Sequence, residues 1–173
     1  MKPNLVIGLG NPLMGDEGVG WHILDRLAGD PRLPQDTDLL WGSTDLLACA
    51  GQMEGRRRII LVDAMLDASH AGGIAVYSDR DGFPPLEDRQ EHAHHLSAVQ
   101  AIRLLQACSP SLRTVPFTLV AIAIDSARVT MELSPALTAA MPEMLDRILR
   151  ELKTGDGVLN PGFPSAAASV VRE

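Results

Sequence analysis

Aromatic residues are scarce in this 173-residue chain, which carries two Trp, one Tyr and three Phe, or 3% of the total. Such scarcity argues against a base-stacking platform for single-stranded nucleic acid. Positive charge is in deficit too, with 15 Lys plus Arg against 22 Asp plus Glu and a formal net charge of −7. Phosphate backbones need clustered cations, so this balance argues against a nucleic-acid partner held through a broad basic face. No stretch approaches the ~18 uninterrupted apolar residues of a membrane span. The first residues, Met1-Lys2-Pro3-Asn4, run straight into a short apolar segment and lack the pattern of a signal peptide. Cysteine is nearly absent. Cys49 and Cys108 lie far apart without Cys-x-x-Cys spacing, each among helix formers. Both read as small buried hydrophobes in a reducing, cytoplasmic compartment.

What is present is ordinary globular composition, with 46% hydrophobic and 21% charged residues. The length suits one domain with a real core. Leu5-Val6-Ile7-Gly8 reads as a buried strand ending in glycine. A glycine-rich loop follows, and Val19, Ile23 and Leu27 then mark one face of a helix, with Asp16 at the expected N-cap and Gly29 closing it. A second strand is predicted over Asp38 to Trp41 and a short helix over Leu46 to Met53. Ile59-Ile60-Leu61-Val62 is the clearest buried strand and is expected to end at Asp63. Ile74 to Tyr77 reads as another strand behind the Gly72-Gly73 turn.

Asp79 to Glu91 is polar and proline-rich, hence a surface loop leading to a helix that buries Ala98, Ala101, Ile102 and Leu105. Phe117 to Ile124 is a further core strand. Ser134-Pro135 starts a last helix, with Leu137, Met141, Leu145, Ile148 and Leu152 as its buried stripe and Pro142 expected to kink or restart it. Alternating strands and helices imply a mostly parallel sheet covered on both faces. The domain is expected to span residues 1–153, with 154–173 as a loosely held tail.

Gly8-Leu9-Gly10-Asn11-Pro12-Leu13 follows a strand and precedes a helix, as a dinucleotide-binding loop does. Leu13, however, takes the place of the third glycine, Pro12 removes an N–H from the loop, and no Lys-Ser or Lys-Thr pair follows. The carboxyl edges of the strands are more informative, because open α/β sheets bind ligands there. Three polar candidates arise at such edges: Glu17 after the first strand, Asp63 after Ile59–Val62, and His94 where the polar loop enters a helix. Two carboxylates and an imidazole form a ligand set for a borderline divalent ion such as nickel or zinc. A helix N-terminus also keeps a histidine neutral, as ligation requires.

Each candidate has a plainer reading. Glu17 is also a dipole-favoured first-turn acid, Asp16 a helix cap, and Asp63 the head of an Asx-turn. His92-Ala93-His94-His95 also reads as a solvated loop cluster. His22 and His70 have no evident partner, Arg56-Arg57-Arg58 reads as a solvated approach to a strand, and Asp125 is a rival acid at another strand end.

In order and spacing, these residues resemble the hydrogenase maturation endopeptidases, which process nickel–iron hydrogenase large subunits. The resemblance runs through Val6-Ile7-Gly8-Leu9-Gly10-Asn11-Pro12-Leu13-Met14-Gly15-Asp16-Glu17-Gly18-Val19-Gly20 and Ile60-Leu61-Val62-Asp63-Ala64. It continues in His94-His95-Leu96-Ser97, Leu119-Val120-Ala121-Ile122 and Leu133-Ser134-Pro135. It implies a single three-layer α/β/α domain, phosphorylase/hydrolase-like, with a mostly parallel sheet of roughly five strands. The implied activity is removal of a C-terminal extension from the large-subunit precursor once nickel is inserted.

The family's metal-contacting positions map onto Glu17, Asp63 and His94, with His92 and His95 as alternatives to His94. Nickel is then presented by the precursor, and zinc or cadmium would substitute in the isolated protein; neither nucleic acid nor membrane is an expected partner. One departure stands out. Where the family has an Asp-Gly-Gly-Thr-like turn implicated in reading the cleavage site, this chain has Trp41-Gly42-Ser43-Thr44, with Asp45 out of register. Peptidyl-tRNA hydrolases resemble the chain over Val6 to Pro12 only. A non-catalytic module or chaperone for a metallated partner would use the same three ligands.

Overall fold

Alternation of apolar residues along each strand divides the interior into two cores, one on each face of a five-stranded sheet. The structure, a computed structural model, describes residues 1–79, 83 and 97–154. The strands are β1 (Asn4–Gly8), β2 (Thr37–Trp41), β3 (Arg58–Leu66), β4 (Ile74–Ser78) and β5 (Phe117–Ile124). Their order is β2-β1-β3-β5-β4, parallel throughout except for β4, which runs antiparallel to β5. The helices are α1 (Val19–Ala28), α2 (Ala50–Met53), α3 (Ala98–Cys108) and α4 (Pro135–Thr154).

Val6, Ile60, Val62, Val120 and Ile122 point to one face, where α1 and α4 cover them with Ile23, Leu27, Met144 and Ile148. Leu5, Ile7, Ile59, Leu61, Phe117 and Leu119 point to the other, beneath Met53 and the Val99, Ile102 and Leu105 stripe of α3. Burying each large aliphatic side chain supplies about 1.5–3 kcal/mol before chain entropy is charged against it. This is the three-layer α/β/α arrangement that strand–helix alternation predicts.

Several local expectations are revised. Asp63 does not end a strand: β3 continues to Leu66 because β5 keeps pairing with it, Asp63 opposite Ala121 and Leu66 opposite Ile124. α4 neither stops nor restarts at Pro142. The carbonyl of Thr138, which loses its partner there, lies on the solvent side, where water can satisfy it. The buried stripe of α4 also includes Met144 and Leu149, whereas Leu145 is only partly covered.

Cys49 is buried as expected, but Cys108 ends α3 on its exposed side. Of the three arginines only Arg57 is solvated as expected. Buried Arg56 reaches Asp38 and the Lys2 carbonyl, and Arg58 donates to the Glu151 carbonyl, tying the start of β3 to the end of α4. Helix α3 opens on a capping box, in which the Ser97 hydroxyl accepts from the Gln100 N–H and the Gln100 side chain accepts from the Ser97 N–H. The segment expected as a polar loop falls largely outside the described residues, as does the expected tail beyond Thr154. Among the described residues, no helix is long and apolar enough to cross a membrane.

The connections set the position of the site. From β1 the chain passes through α1 on one face to β2. From β2 it returns through α2 on the opposite face to β3, on the other side of β1. The winding therefore reverses between β1 and β3, the topological switch point at which open α/β sheets leave a crevice. β1 stops at Gly8, opposite Val62, so Asp63 is the first residue of β3 without β1 beside it.

Candidate functional site at the switch point

The loop leaving β1 folds back on itself, and its glycines allow that closure. Gly10 has φ +110°, and a Cβ there would stand 2.0 Å from the Glu17 carbonyl oxygen. A Cβ on Gly20 would meet the Leu9 carbonyl oxygen at 2.5 Å and that of Val62 at 2.8 Å. The glycines thus serve close packing of backbone on backbone, and the loop forms no cradle for a pyrophosphate.

Glu17 sits in the 3-10 turn Gly15–Gly18 that leads into α1, partly open to solvent. Its carboxylate has no hydrogen-bond partner among the described residues. Its neighbour Asp16 is buried and, contrary to expectation, does not cap α1. The Asp16 carboxylate instead accepts the Ser134 N–H at 2.7 Å, holding the start of α4 against the Glu17 turn. The 3-10 turn inserted before Val19 moves the cap position of α1 to Gly18, beyond the reach of that side chain.

Asp63 faces the same crevice, densely surrounded yet still touched by solvent at its rim. One oxygen accepts the N–H of Ala64 at 2.9 Å. Burial above all, with a smaller contribution from the negative charge of Glu17, raises its pKa to about 6 against the opposing pull of the Ala64 N–H. Two carboxylates are thereby brought into one field.

The third candidate, His94, and its alternatives His92 and His95 lie outside the described residues. Among the described residues, no group of three or more His, Cys, Asp and Glu gathers in a metal-binding arrangement.

The remaining candidates have local roles. Asp125 follows β5 and is exposed. The His70 ring nitrogen Nδ1 meets the Asp67 carboxylate at 2.9 Å within a turn that also holds Ser69. Serine and aspartate both address that same nitrogen, which is turn geometry and no proton relay. His22 on α1 keeps Nε2 buried without a hydrogen-bond partner among the described residues, and burial lowers its pKa.

Trp41 ends the edge strand β2, 37% exposed, with its indole N–H donating to Asp25 at 2.9 Å. It is a rim aromatic fastened to α1. Asp45 caps the following 3-10 turn by accepting the Leu47 N–H at 2.9 Å, so it does not stand in for the aspartate expected at position 41. One feature had no signal in the sequence: Met14 forms an isolated bridge with Thr130, placing the segment after β5 beside the Glu17 loop.

A scan against protein-family models finds no match. The sequence is nonetheless 26% identical over 149 residues to the hydrogenase 2 maturation protease of Escherichia coli K12, covering 86% of this chain and 90% of that protein. In sequence the chain is thus similar to a hydrogenase maturation protease. The solution structure of an endopeptidase from Escherichia coli superposes with a TM-score of 0.73 at 25% identity, over 90% of this chain and 94% of that one. The hydrogenase maturating endopeptidase HybD from Escherichia coli gives 0.68 at 24% identity over the same shares, a likeness of fold. Both structures carry endopeptidase in their names, and the second shows the fold alone. Its acids stand where the reversing winding of that fold opens the sheet.

Proposed function

We propose that this protein is an endopeptidase that removes the C-terminal extension of a nickel–iron hydrogenase large-subunit precursor after nickel insertion, with nickel as the element recognised. The observation that carries the reading is the convergence of Glu17 and Asp63 at the switch point, where the field of one carboxylate raises the pKa of the other. A divalent cation suits such a pair: Glu17 has an uncommitted carboxylate, and Asp63 has committed one oxygen to Ala64. His94 completes the proposed set from the segment entering α3. Nickel arrives as cargo of the precursor, and zinc or cadmium would occupy the same residues in the isolated protein.

The chain's own residues supply position and charge. The Glu17 turn is held by the Gly10 and Gly20 contacts and by Asp16, so its carboxylate is presented without reorganisation. Asp63, with its pKa near 6, exchanges a proton close to neutrality and suits a general base or acid at the scissile amide. A bound divalent ion would supply carbonyl polarisation there. A precursor without its cation would face two uncompensated carboxylates, which disfavours docking of unmetallated substrate. The setting is inferred to be the cytoplasm.

Intact-mass spectrometry of nickel-loaded and nickel-free precursor tests this reading. Loss of one defined C-terminal peptide from the loaded form alone is expected. Glu17→Ala, Asp63→Ala and His94→Ala are each expected to abolish that loss while leaving a folded protein. A verified loaded cognate precursor of unchanged mass would overturn the reading.

A further inference from the structure

Three large apolar side chains stand in solvent beside the Glu17 loop: Val129 is 88% exposed, Met131 67% and Leu13 56%. They belong to two segments locked together by their backbones. The Gly15 N–H donates to the Thr130 carbonyl at 2.7 Å, and the Thr130 N–H to the Leu13 carbonyl at 3.1 Å. The methyl of Thr130 is turned toward Gly15, only 2.9 Å from where a Cβ there would stand. Val129 and Met131, on either side of Thr130 in this bent segment, stand outward in solvent. Folding gains nothing from that exposure, and Gly15, which the Thr130 carbonyl holds, is two residues from Glu17 along the chain.

We infer that Leu13, Val129 and Met131 form the docking ridge for an apolar segment of the protein substrate next to its scissile bond. The inference rests on the processing role proposed above. Two observations favour a substrate segment over a second copy of this chain. The ridge is bonded through Thr130 to the loop that carries Glu17, beside which an endopeptidase with that site must seat its protein substrate. Its surroundings are predominantly acidic, with Glu17, Asp125 and Glu132 against Arg128. Two copies meeting ridge to ridge would oppose like charges, whereas an apolar segment flanked by cations would be complementary. The substrate class is accordingly a peptide segment with apolar side chains and nearby positive charge.

The test compares wild type with Val129→Asp and Met131→Asp, using Leu104→Asp on α3 as an equally polar change at an exposed leucine elsewhere. Affinity for immobilised nickel-loaded precursor, KM, kcat and solution mass are measured. The two ridge variants are expected to weaken binding and raise KM at least about ten-fold. Their kcat at saturation, cadmium binding and melting temperature should stay at wild-type values, and Leu104→Asp should change none of these.

Wild-type affinity and KM in both ridge variants would overturn the inference while leaving processing intact. If wild type binds the precursor but never shortens it, the processing role fails, and loss of affinity in the ridge variants still supports docking. A wild-type dimer that either ridge charge dissolves would assign the ridge to self-association and overturn the inference.

Discussion

Replacing Asp63 by asparagine is expected to stabilise the metal-free protein, and to do so only at neutral and alkaline pH. The folded-state pKa of about 6 exceeds the ordinary value of 3.8, because burial and the Glu17 charge both oppose ionisation. Between those values the folded chain holds a proton that the unfolded chain has released. The stability associated with the protonated carboxyl is therefore complete below about pH 4 and lost as pH rises through 6. At 1.36 kcal/mol per unit the loss reaches about 3 kcal/mol by pH 8, and about 2 kcal/mol after allowance for the solvent at the rim. Asparagine is nearly isosteric, never ionises, and still accepts the Ala64 N–H.

Thermal melts of chelator-treated protein at pH 4 and pH 8 give the comparison. At this size each kcal/mol corresponds to roughly 2–4 °C. Asp63→Asn should then melt about 4–12 °C above wild type at pH 8 and within a degree or so of it at pH 4. Glu17→Gln removes only the smaller, coulombic part and should give a smaller gain with the same pH dependence. A gap that is equal at both pH values, or an asparagine variant less stable at pH 8, would refute the reasoning.

Other expectations concern the frame of the site and its cation. Gly20→Ala places a methyl against the Leu9 and Val62 carbonyl oxygens and should cost ~3 kcal/mol or more, seen as a lowered urea midpoint or insoluble protein. Asp16→Ala leaves the partly buried Ser134 N–H without its charged acceptor and should cost about 1.5–3 kcal/mol in urea unfolding, with Asp16→Asn costing less. Cadmium or nickel at a hundred times its Kd should stabilise wild type at pH 8 by about 2.7 kcal/mol, an effect expected to be absent from Asp63→Asn. Trp41→Phe removes only the exposed contact to Asp25 and should shift stability by less than about 1 kcal/mol, measured by thermal melt.

The strands were legible because each carries a short apolar run bounded by glycine, proline or charge. Phe117 to Ile124 emerges with both boundaries as predicted. The sheet order was less accessible, since periodicity reports burial and not neighbours, but parallel strands linked by helices narrow the choices. Glu17 and Asp63 were picked out by a placement rule: Glu17 follows the first strand, and Asp63 follows the apolar run Ile59–Val62 toward the carboxyl edge. What escaped was whatever depends on long-range backbone pairing. Asp63 looked like a strand terminus because Ala64 and Met65 are unremarkable in composition, and only the continued pairing with β5 shows that the strand runs on. Asp16 looked like a local cap because local hydrogen bonds are the commonest use of such a residue. Its partner at Ser134 becomes visible only when β5 returns the chain to the first loop.

That long-range bond explains why the acid pair can exist without loosening the fold. Two carboxylates sharing a crevice repel each other, and a flexible loop would relieve the strain by turning Glu17 outward. Here the loop is restrained on three sides: by backbone contact at Gly10 and Gly20, by the Thr130 bridge, and by Asp16 on the start of α4. The cost consequently stays in the pKa of Asp63 instead of dissipating in movement. It follows that weakening the restraint should release the cost. In Asp16→Ala, the pKa of Asp63 is expected to fall by the smaller, Glu17 part as Glu17 swings away, burial still holding it above the ordinary carboxylate range, readable by NMR titration of the side-chain carboxyl carbon. An Asp63 pKa that stays near 6 in that variant would mean that burial alone sets it, and that the Asp16 bond serves α4 and not the acid pair.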